Sequence, residues 1–115
     1  MDSFDIPIFK KLCDLYKVLH SLRSGIPRLD RYTIWQKIEN LNLDILEEIL
    51  KASQTPKPEK LAILEAASQK VSFLKVLIRL AKEVKTITPA KYVDLQAETD
   101  SVGRMLGGWI RSNKN

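Results

Sequence analysis

The sequence predicts an all-α protein, an antiparallel up-down-up-down four-helix bundle formed by one domain over residues 1–115. Apolar residues recur at intervals of three and four in four long segments. Three short segments rich in Ser, Gly, Thr and Pro separate these segments. No segment alternates apolar and polar residues, and no Asn-Gly or Asp-Gly hairpin turn occurs. Four helical stripes joined by short loops are typical of a bundle.

The first two predicted helices cover about 7–24 and 30–52, with Ser24-Gly25-Ile26-Pro27 between them. Asp30 is expected to be the N-cap of the second helix, because its carboxylate can accept from the first free N–H groups. Asn42 falls inside the apolar arc of that helix, so we predict that it is buried, paired and structural. The two stripes comprise Ile8, Leu12, Leu15, Leu19 and Leu22, then Ile34, Ile38, Leu41, Ile45 and Ile49.

The third and fourth predicted helices cover about 58–86 and 89–112, and the segment 53–58, which holds Pro56 and Pro58, precedes them. Thr88 followed by Pro89 predicts an N-cap with proline at the first helical position of the fourth helix. The third stripe comprises Leu61, Leu64, Val71, Leu74, Ile78 and Ala81. The fourth comprises Tyr92, Leu95, Thr99, Val102, Leu106 and Trp109.

The third helix has more apolar surface than a bundle needs. From Val71 to Val84 its apolar residues cover roughly 220° of the helical wheel, whereas a helix on the surface of a domain needs little more than about 100°. Four equal helices offer no central position, so the excess arc favours an oligomer interface. The residues that we assign to this interface are Phe73, Val76, Leu77, Leu80, Gly103 and Gly107.

Three of the four glycines fall at Gly103, Gly107 and Gly108, inside the fourth helix. A glycine in a helix interior destabilises the helix by roughly 1 kcal/mol relative to alanine. Close approach of another backbone, which a Cβ would block, can compensate. Two explanations stay open: the fourth helix packs tightly inside its own domain, or it contacts a second subunit or partner.

The composition excludes several classes of protein. Hydrophobic residues make up 44% of the chain and charged residues 29%, as in globular proteins. The acidic residues 1–5 do not resemble a signal peptide, and no apolar run is long enough to span a membrane. The lone Cys13 suits a reducing cytoplasm. Cys13 and His20 lie about 10 Å apart along one helix, too far for a catalytic pair. We therefore expect a cytoplasmic, non-catalytic protein without a metal, cofactor or small-molecule substrate.

The net charge of +5 is concentrated in one segment. Residues 56–87 hold seven Lys/Arg against three Asp/Glu, a local excess that attracts phosphates or acidic proteins. Lys75, Arg79 and Lys82 follow one another at i, i+4 and i+7 and form a basic ridge, flanked in sequence by Lys70 and Lys85. The residues predicted to bind nucleic acid are Lys75, Arg79, Lys82, Arg104 and Arg111. The alternative is a solvated face that only keeps the protein soluble.

Three segments of the third and fourth helices resemble one known family. The runs LIRLA (77–81), TP (88–89) and VGRMLGGWI (102–110) are similar to the accessory variability determinant (Avd) of diversity-generating retroelements. The loop Ile26-Pro27-Arg28 leading to Arg31-Tyr32-Thr33 is similar to Avd as well. That loop also resembles four-helix proteins encoded in intervening sequences of bacterial ribosomal RNA genes, so it does not separate the two groups.

The Avd resemblance implies a basic homopentameric barrel of four-helix subunits. Such proteins bind the retroelement's reverse transcriptase and its template RNA, and they support the error-prone cDNA synthesis that diversifies a target gene. The net charge of +5 is low for a nucleic-acid binder. Two alternatives stay open: an intervening-sequence-type protein of structural or unknown role, and a small adaptor that binds acidic proteins through its basic face.

Overall fold

The computed structural model describes residues 5–114, and all the long elements in this range are helices. In chain order the elements are α1 (Pro7–Leu22), α2 (Arg28–Arg31), α3 (Ile34–Ser53), α4 (Lys57–Glu83) and α5 (Pro89–Lys114), with a 3-10 turn at Arg23–Gly25 after α1. Residues 5–114 contain no strand, so the all-α prediction is confirmed over that range. Residues 1–4, which are part of the acidic segment that does not resemble a signal peptide, lie outside the described residues.

The four long helices pack as an antiparallel bundle. Each packs against the next, α1 on α3, α3 on α4 and α4 on α5, and α1 also contacts α5, which closes the bundle. The described chain measures 44 × 24 × 20 Å. The predicted stripes form the core, and their most deeply buried members include Leu12, Leu15, Leu19, Ile38, Ile45, Ile49, Leu64, Leu74, Ile78, Leu95 and Leu106. Leu22, Ile34, Leu61, Tyr92 and Trp109, at the margins of the stripes, are partly buried.

The second predicted helix is interrupted near its start. Tyr32 and Thr33 separate the single turn of α2 from α3, and the Thr33 hydroxyl donates to the Leu29 carbonyl at 3.2 Å. The prediction that Asp30 caps the long helix is therefore wrong. Asp30 lies within α2, and its carboxylate accepts a hydrogen bond from the Thr86 hydroxyl at 3.1 Å. This bond joins the connection between α1 and α3 to the loop between α4 and α5.

Two buried polar side chains connect α3 to α1. The Asn42 side chain is fully buried, and its Nδ2 donates to the Leu12 carbonyl at 3.2 Å. The Trp35 side chain is also fully buried, and its Nε1 donates to the Leu19 carbonyl at the same distance. Because a buried donor without a partner is costly, these bonds favour one register between the two helices. The prediction that Asn42 is buried is confirmed. Its Nδ2 is paired, whereas its Oδ1 has no hydrogen-bond partner among the described residues.

The helix α4 ends in a Schellman motif, three residues before the predicted boundary. The Thr86 N–H donates to the Ala81 carbonyl at 2.7 Å and the Lys85 N–H donates to the Lys82 carbonyl at 3.0 Å, the two bonds that define the motif. Lys85 takes the left-handed position with φ 65°. At the start of α5 the Thr88 hydroxyl accepts from the Lys91 N–H at 3.2 Å, which confirms Thr88 as the N-cap.

Candidate oligomer and nucleic-acid interfaces

The outer side of α4 carries a row of exposed apolar side chains, which we name the α4 strip. It consists of Phe73, Val76, Leu80 and Val84, whose exposed fractions are 46%, 59%, 45% and 54%. By the helical period these residues lie on the side of α4 opposite the bundle core. Leu77 was assigned to the same interface from the sequence, but the structure places it in the core of its own chain with 8% exposure. The exposed apolar surface of α4 is therefore narrower than the apolar arc of roughly 220° on the helical wheel suggested.

The glycines of α5 have no neighbouring backbone among the described residues. A Cβ added at Gly103 would meet the Lys75 ammonium at 3.2 Å, and one at Gly107 would meet the tip of Arg111 at 3.4 Å. A Cβ at Gly108 would meet only the same arginine, at 3.8 Å. These neighbours are the ends of flexible side chains. Tight packing of α5 inside its own domain thus receives no support from the structure.

The three α4 cations of the basic ridge lie on the flank of α4 that faces α5, and each has a carboxylate nearby. The Lys75 ammonium is 3.1 Å from the Asp100 carboxylate on α5. Glu83 is shared, with its carboxylate 3.8 Å from Arg79 and 3.9 Å from Lys82. The Lys82 ammonium also lies 4.3 Å from the centre of the Tyr92 ring. These partners reduce the charge that the ridge presents to a phosphate.

Not every cation near the ridge in sequence is near it in space. Lys70 points to the other flank of α4 and pairs with Glu48 of α3 at 3.2 Å. Arg104 is exposed and forms no salt bridge within the described residues. Arg111 lies one further two-turn step along α5, against Gly107 and Gly108. The ridge and the two arginines thus border the same α4–α5 surface.

A shallow groove runs along that surface. One cleft of about 220 Å³ is lined by Arg79, Tyr92 and Gln96, and a second of about 330 Å³ is lined by Gly103 and Arg104. The Lys75 and Asp100 side chains line both clefts, so their ion pair divides the groove. Gly103 leaves the room in which the lysine reaches across α5 to its partner.

Sequence reasoning missed a second polar cluster, at the end of the bundle that holds the α1–α3 and α4–α5 connections. The Glu39 side chain is 5% exposed and forms a salt bridge with Arg23. The Arg23 guanidinium in turn lies over the Tyr32 ring, 5.1 Å from its centre. The helical period places Glu39 beside Trp35 and Asn42 on the buried side of α3, and this position was the sequence signal that could have predicted a buried carboxylate.

The described residues offer little for catalysis or metal binding. They contain no group of three or more His, Cys, Asp or Glu side chains placed to hold a metal ion. Burial raises the pKa of the Cys13 thiol above its ordinary value, which lowers its thiolate fraction at neutral pH. The His20 ring stacks on Tyr16 with centroids 6.0 Å apart. None of the helices in 5–114 is long and apolar enough to cross a membrane.

The comparison with protein families places most of the chain in a known family. A family model described as bAvd-like matches residues 7–113, a range that includes the α4 strip, the basic ridge and the glycines of α5. A search of curated proteins finds no match.

Proposed function

Because this chain belongs to the bAvd-like family, we propose that it is a non-catalytic accessory protein of a diversity-generating retroelement. In this role it binds the reverse transcriptase and the template RNA or its cDNA, and it supports mutagenic cDNA synthesis. The family match to the accessory variability determinant supports the role. Within the structure, the observation that carries the proposal is the α4 strip, a surface that calls for a protein partner.

The proposed assembly is a closed homo-oligomeric ring, with five subunits as the family resemblance implies. A ring uses two different patches on each subunit, one meeting the other on the next subunit. The α4 strip supplies bulky apolar side chains. The helix α5 supplies a face without Cβ atoms at Gly103, next to the Lys75 ammonium, and at Gly107, next to Arg111, so the proposed ring contact borders the basic ridge. A row of bulky side chains against a glycine surface permits close packing of two helices. Such a contact accounts for the exposed apolar side chains of α4 and for the glycines of α5.

The proposed nucleic-acid surface is the α4–α5 flank with Lys75, Arg79, Lys82, Arg104 and Arg111. Its ion pairs with Asp100 and Glu83 leave each subunit with a modest local excess of positive charge. Repetition around a ring multiplies weak contacts into strong binding when one strand touches several subunits. Contacts of this kind are mainly electrostatic and independent of sequence.

The experiment that tests the proposal removes the ring and asks whether the partner is lost. Val76→Glu places a charge in the α4 strip, so it should convert an assembly of several times 13.2 kDa into a monomer. The matched control is Val18→Glu, an exposed valine of α1 with the same change. Size-exclusion chromatography with light scattering gives the mass, and circular dichroism checks that both variants stay helical.

The second readout is co-purification of the retroelement's reverse transcriptase with the unmodified chain and both variants. We expect the unmodified chain and Val18→Glu to retain the enzyme and to support cDNA synthesis, and Val76→Glu to lose both. A native chain that is monomeric at micromolar concentration, or that never retains the enzyme, contradicts the proposal.

A further inference from the structure

The two connections at one end of the bundle form a surface that the ridge does not include. We name it the loop end, defined by residues 23–33 and 84–91. The Asp30–Thr86 hydrogen bond of 3.1 Å holds the two connections together. Between them lies an open cleft of about 760 Å³, lined by residues of both, among them Pro27, Lys85 and Thr88. The loop end is thus one continuous surface, assembled from two distant parts of the sequence.

The loop end carries cations that no carboxylate neutralises. Arg28, Lys85 and Lys91 are exposed, and none of them takes part in a salt bridge within residues 5–114. This distinguishes them from the three ridge cations, each of which lies near Asp100 or Glu83. Because these cations form no direct ion pair, their attraction for phosphate is reduced less than that of the ridge cations.

The loop end also presents an aromatic ring in a fixed orientation. Tyr32 is 66% exposed, and the Arg23 guanidinium lies 5.1 Å from the ring centre. Arg23 is held by its salt bridge to the buried Glu39, whose second carboxylate oxygen has no hydrogen-bond partner among the described residues. A buried ion pair of this kind seldom stabilises a fold more than apolar residues do. Its consequence here is that Arg23 supports one face of the Tyr32 ring.

Neighbouring side chains complete the surface. Arg28 precedes Tyr32 by four residues across the turn of α2, so the two share a side of that turn. Leu29, between them in sequence, is 85% exposed. An exposed ring with a free cation beside it, on a surface that carries further free cations, suits the binding of single strands, with a base stacked on the ring and phosphates on the cations.

We propose that the loop end binds single-stranded nucleic acid, with Tyr32 stacking on a base and Arg28, Lys85 and Lys91 contacting phosphates. The inference rests on the proposed function for the nature of the ligand, but it names a site separate from the ridge. A single strand fits better than a duplex, because stacking on the ring requires an unpaired base. The free cations favour a polyanion over a protein partner.

The test of stacking uses the full-length chain without reverse transcriptase. Its probe is a fluorescein-labelled RNA of about 20 nucleotides, a single binding-site length or more, measured by fluorescence anisotropy as a single strand and as a duplex. Tyr32→Ala and Tyr32→Leu should weaken single-strand binding about 5- to 100-fold with little change in salt dependence. Tyr32→Phe, which keeps the ring, should bind as the unmodified chain does. Duplex affinity should not depend on the ring.

The test of the cations uses the dependence of affinity on salt. Arg28→Gln with Lys91→Gln should reduce the slope of log K against log salt by about 1.4, since each single-strand phosphate contact contributes about 0.7. The control is Lys51→Gln with Lys114→Gln, which removes two exposed cations from the opposite end of the bundle. Thermal melting by circular dichroism verifies that all variants are folded.

The outcomes separate this inference from the proposed function. If folded Tyr32→Ala and Arg28→Gln/Lys91→Gln variants bind the single strand as the unmodified chain does, the inference is wrong, although the ring and its enzyme partner are unaffected. If the same variants keep RNA binding and lose the reverse transcriptase, the loop end is a protein surface and the inference is again wrong. Loss of RNA binding with enzyme binding intact supports it.

Discussion

Lys85 occupies the position after α4 that takes the left-handed conformation, where glycine is the usual residue. Its φ of 65° lies in the left-handed region, where the Cβ of an L-residue crowds its own backbone. The residue is nevertheless held there, because the two Schellman bonds, from Thr86 and Lys85 to carbonyls of the last turn of α4, depend on that conformation. A lysine therefore replaces glycine at a cost in stability and places an ammonium group at the loop end.

That cost can be measured by substitution. Lys85→Gly should raise the free energy of unfolding by up to about 1 kcal/mol, because glycine adopts the left-handed conformation without steric strain. Lys85→Ala removes the charge and keeps the Cβ, so it should leave stability unchanged or slightly lower. Urea denaturation of the three chains gives the comparison. Equal gains from glycine and alanine would show that charge at this position, and not backbone strain, limits stability.

The basic ridge shows how far single residues can be predicted. The spacing of Lys75, Arg79 and Lys82 placed them on one flank of a helix, since that follows from the helical period alone. Their neutralisation could not be predicted in the same way. The partner of Lys75 is Asp100, on a different helix, and only the packing of α4 on α5 brings the two together.

The four long helices were predictable because their cores repeat with one period over many residues. The break at Tyr32 and Thr33 was not, since the apolar positions of α3 begin at Ile34 and the polar residues before it fit either a helix or a turn. At the break, the Thr33 hydroxyl and the Asp30 carboxylate form side-chain hydrogen bonds. Both connections of the loop end were predicted from the sequence, but the position of Tyr32 outside a helix was not, because periodicity does not show it.

The helix α5 combines a helical core stripe with residues that destabilise a helix. Leu95, Val102 and Leu106 are buried with exposures of 1–2%, so tertiary packing holds the helix in place despite its glycines. No described backbone lies close to Gly103 or Gly107. Within the subunit, the missing Cβ at Gly103 makes room for the Lys75 ammonium, whereas only the tip of Arg111 lies near Gly107. For Gly107, the proposed ring contact supplies a benefit that the isolated chain does not.

A substitution at Gly107 should therefore have opposite effects on the subunit and on the ring. In the monomeric Val76→Glu background, Gly107→Ala should raise the free energy of unfolding by about 1 kcal/mol, the difference in helix propensity. In the otherwise native chain, the same change should shift dissociation of the ring to higher protein concentration, as measured by light scattering on dilution. Ser101→Ala, a propensity gain elsewhere on α5, is the control. A stabilised subunit with an unaltered ring would remove Gly107 from the interface.

At the scale of the whole molecule, the bundle separates its surfaces. The α4 strip lies opposite the core, the basic ridge lies on the α5 flank, and the loop end lies at one end of a body 44 Å long. In the proposed ring, rotational symmetry places the loop ends of all subunits at the same height along the ring axis. The subunit number could not be derived from the residues, since no apolar arc fixes the angle between neighbours.

In the proposed ring, the salt dependence of nucleic-acid binding becomes a property of the assembly. A monomer offers a single strand only a few cations, whereas a strand that follows the rim of a ring meets the same cations several times. The slope of log K against log salt is about −0.7 for each phosphate neutralised on a single strand.

The native ring should therefore show a slope several times steeper than the Val76→Glu monomer. Val18→Glu, which alters net charge equally, should behave as the native ring, so assembly and charge are separated. Anisotropy titrations across a salt series measure all three, and equal slopes would mean that a strand contacts one subunit at a time.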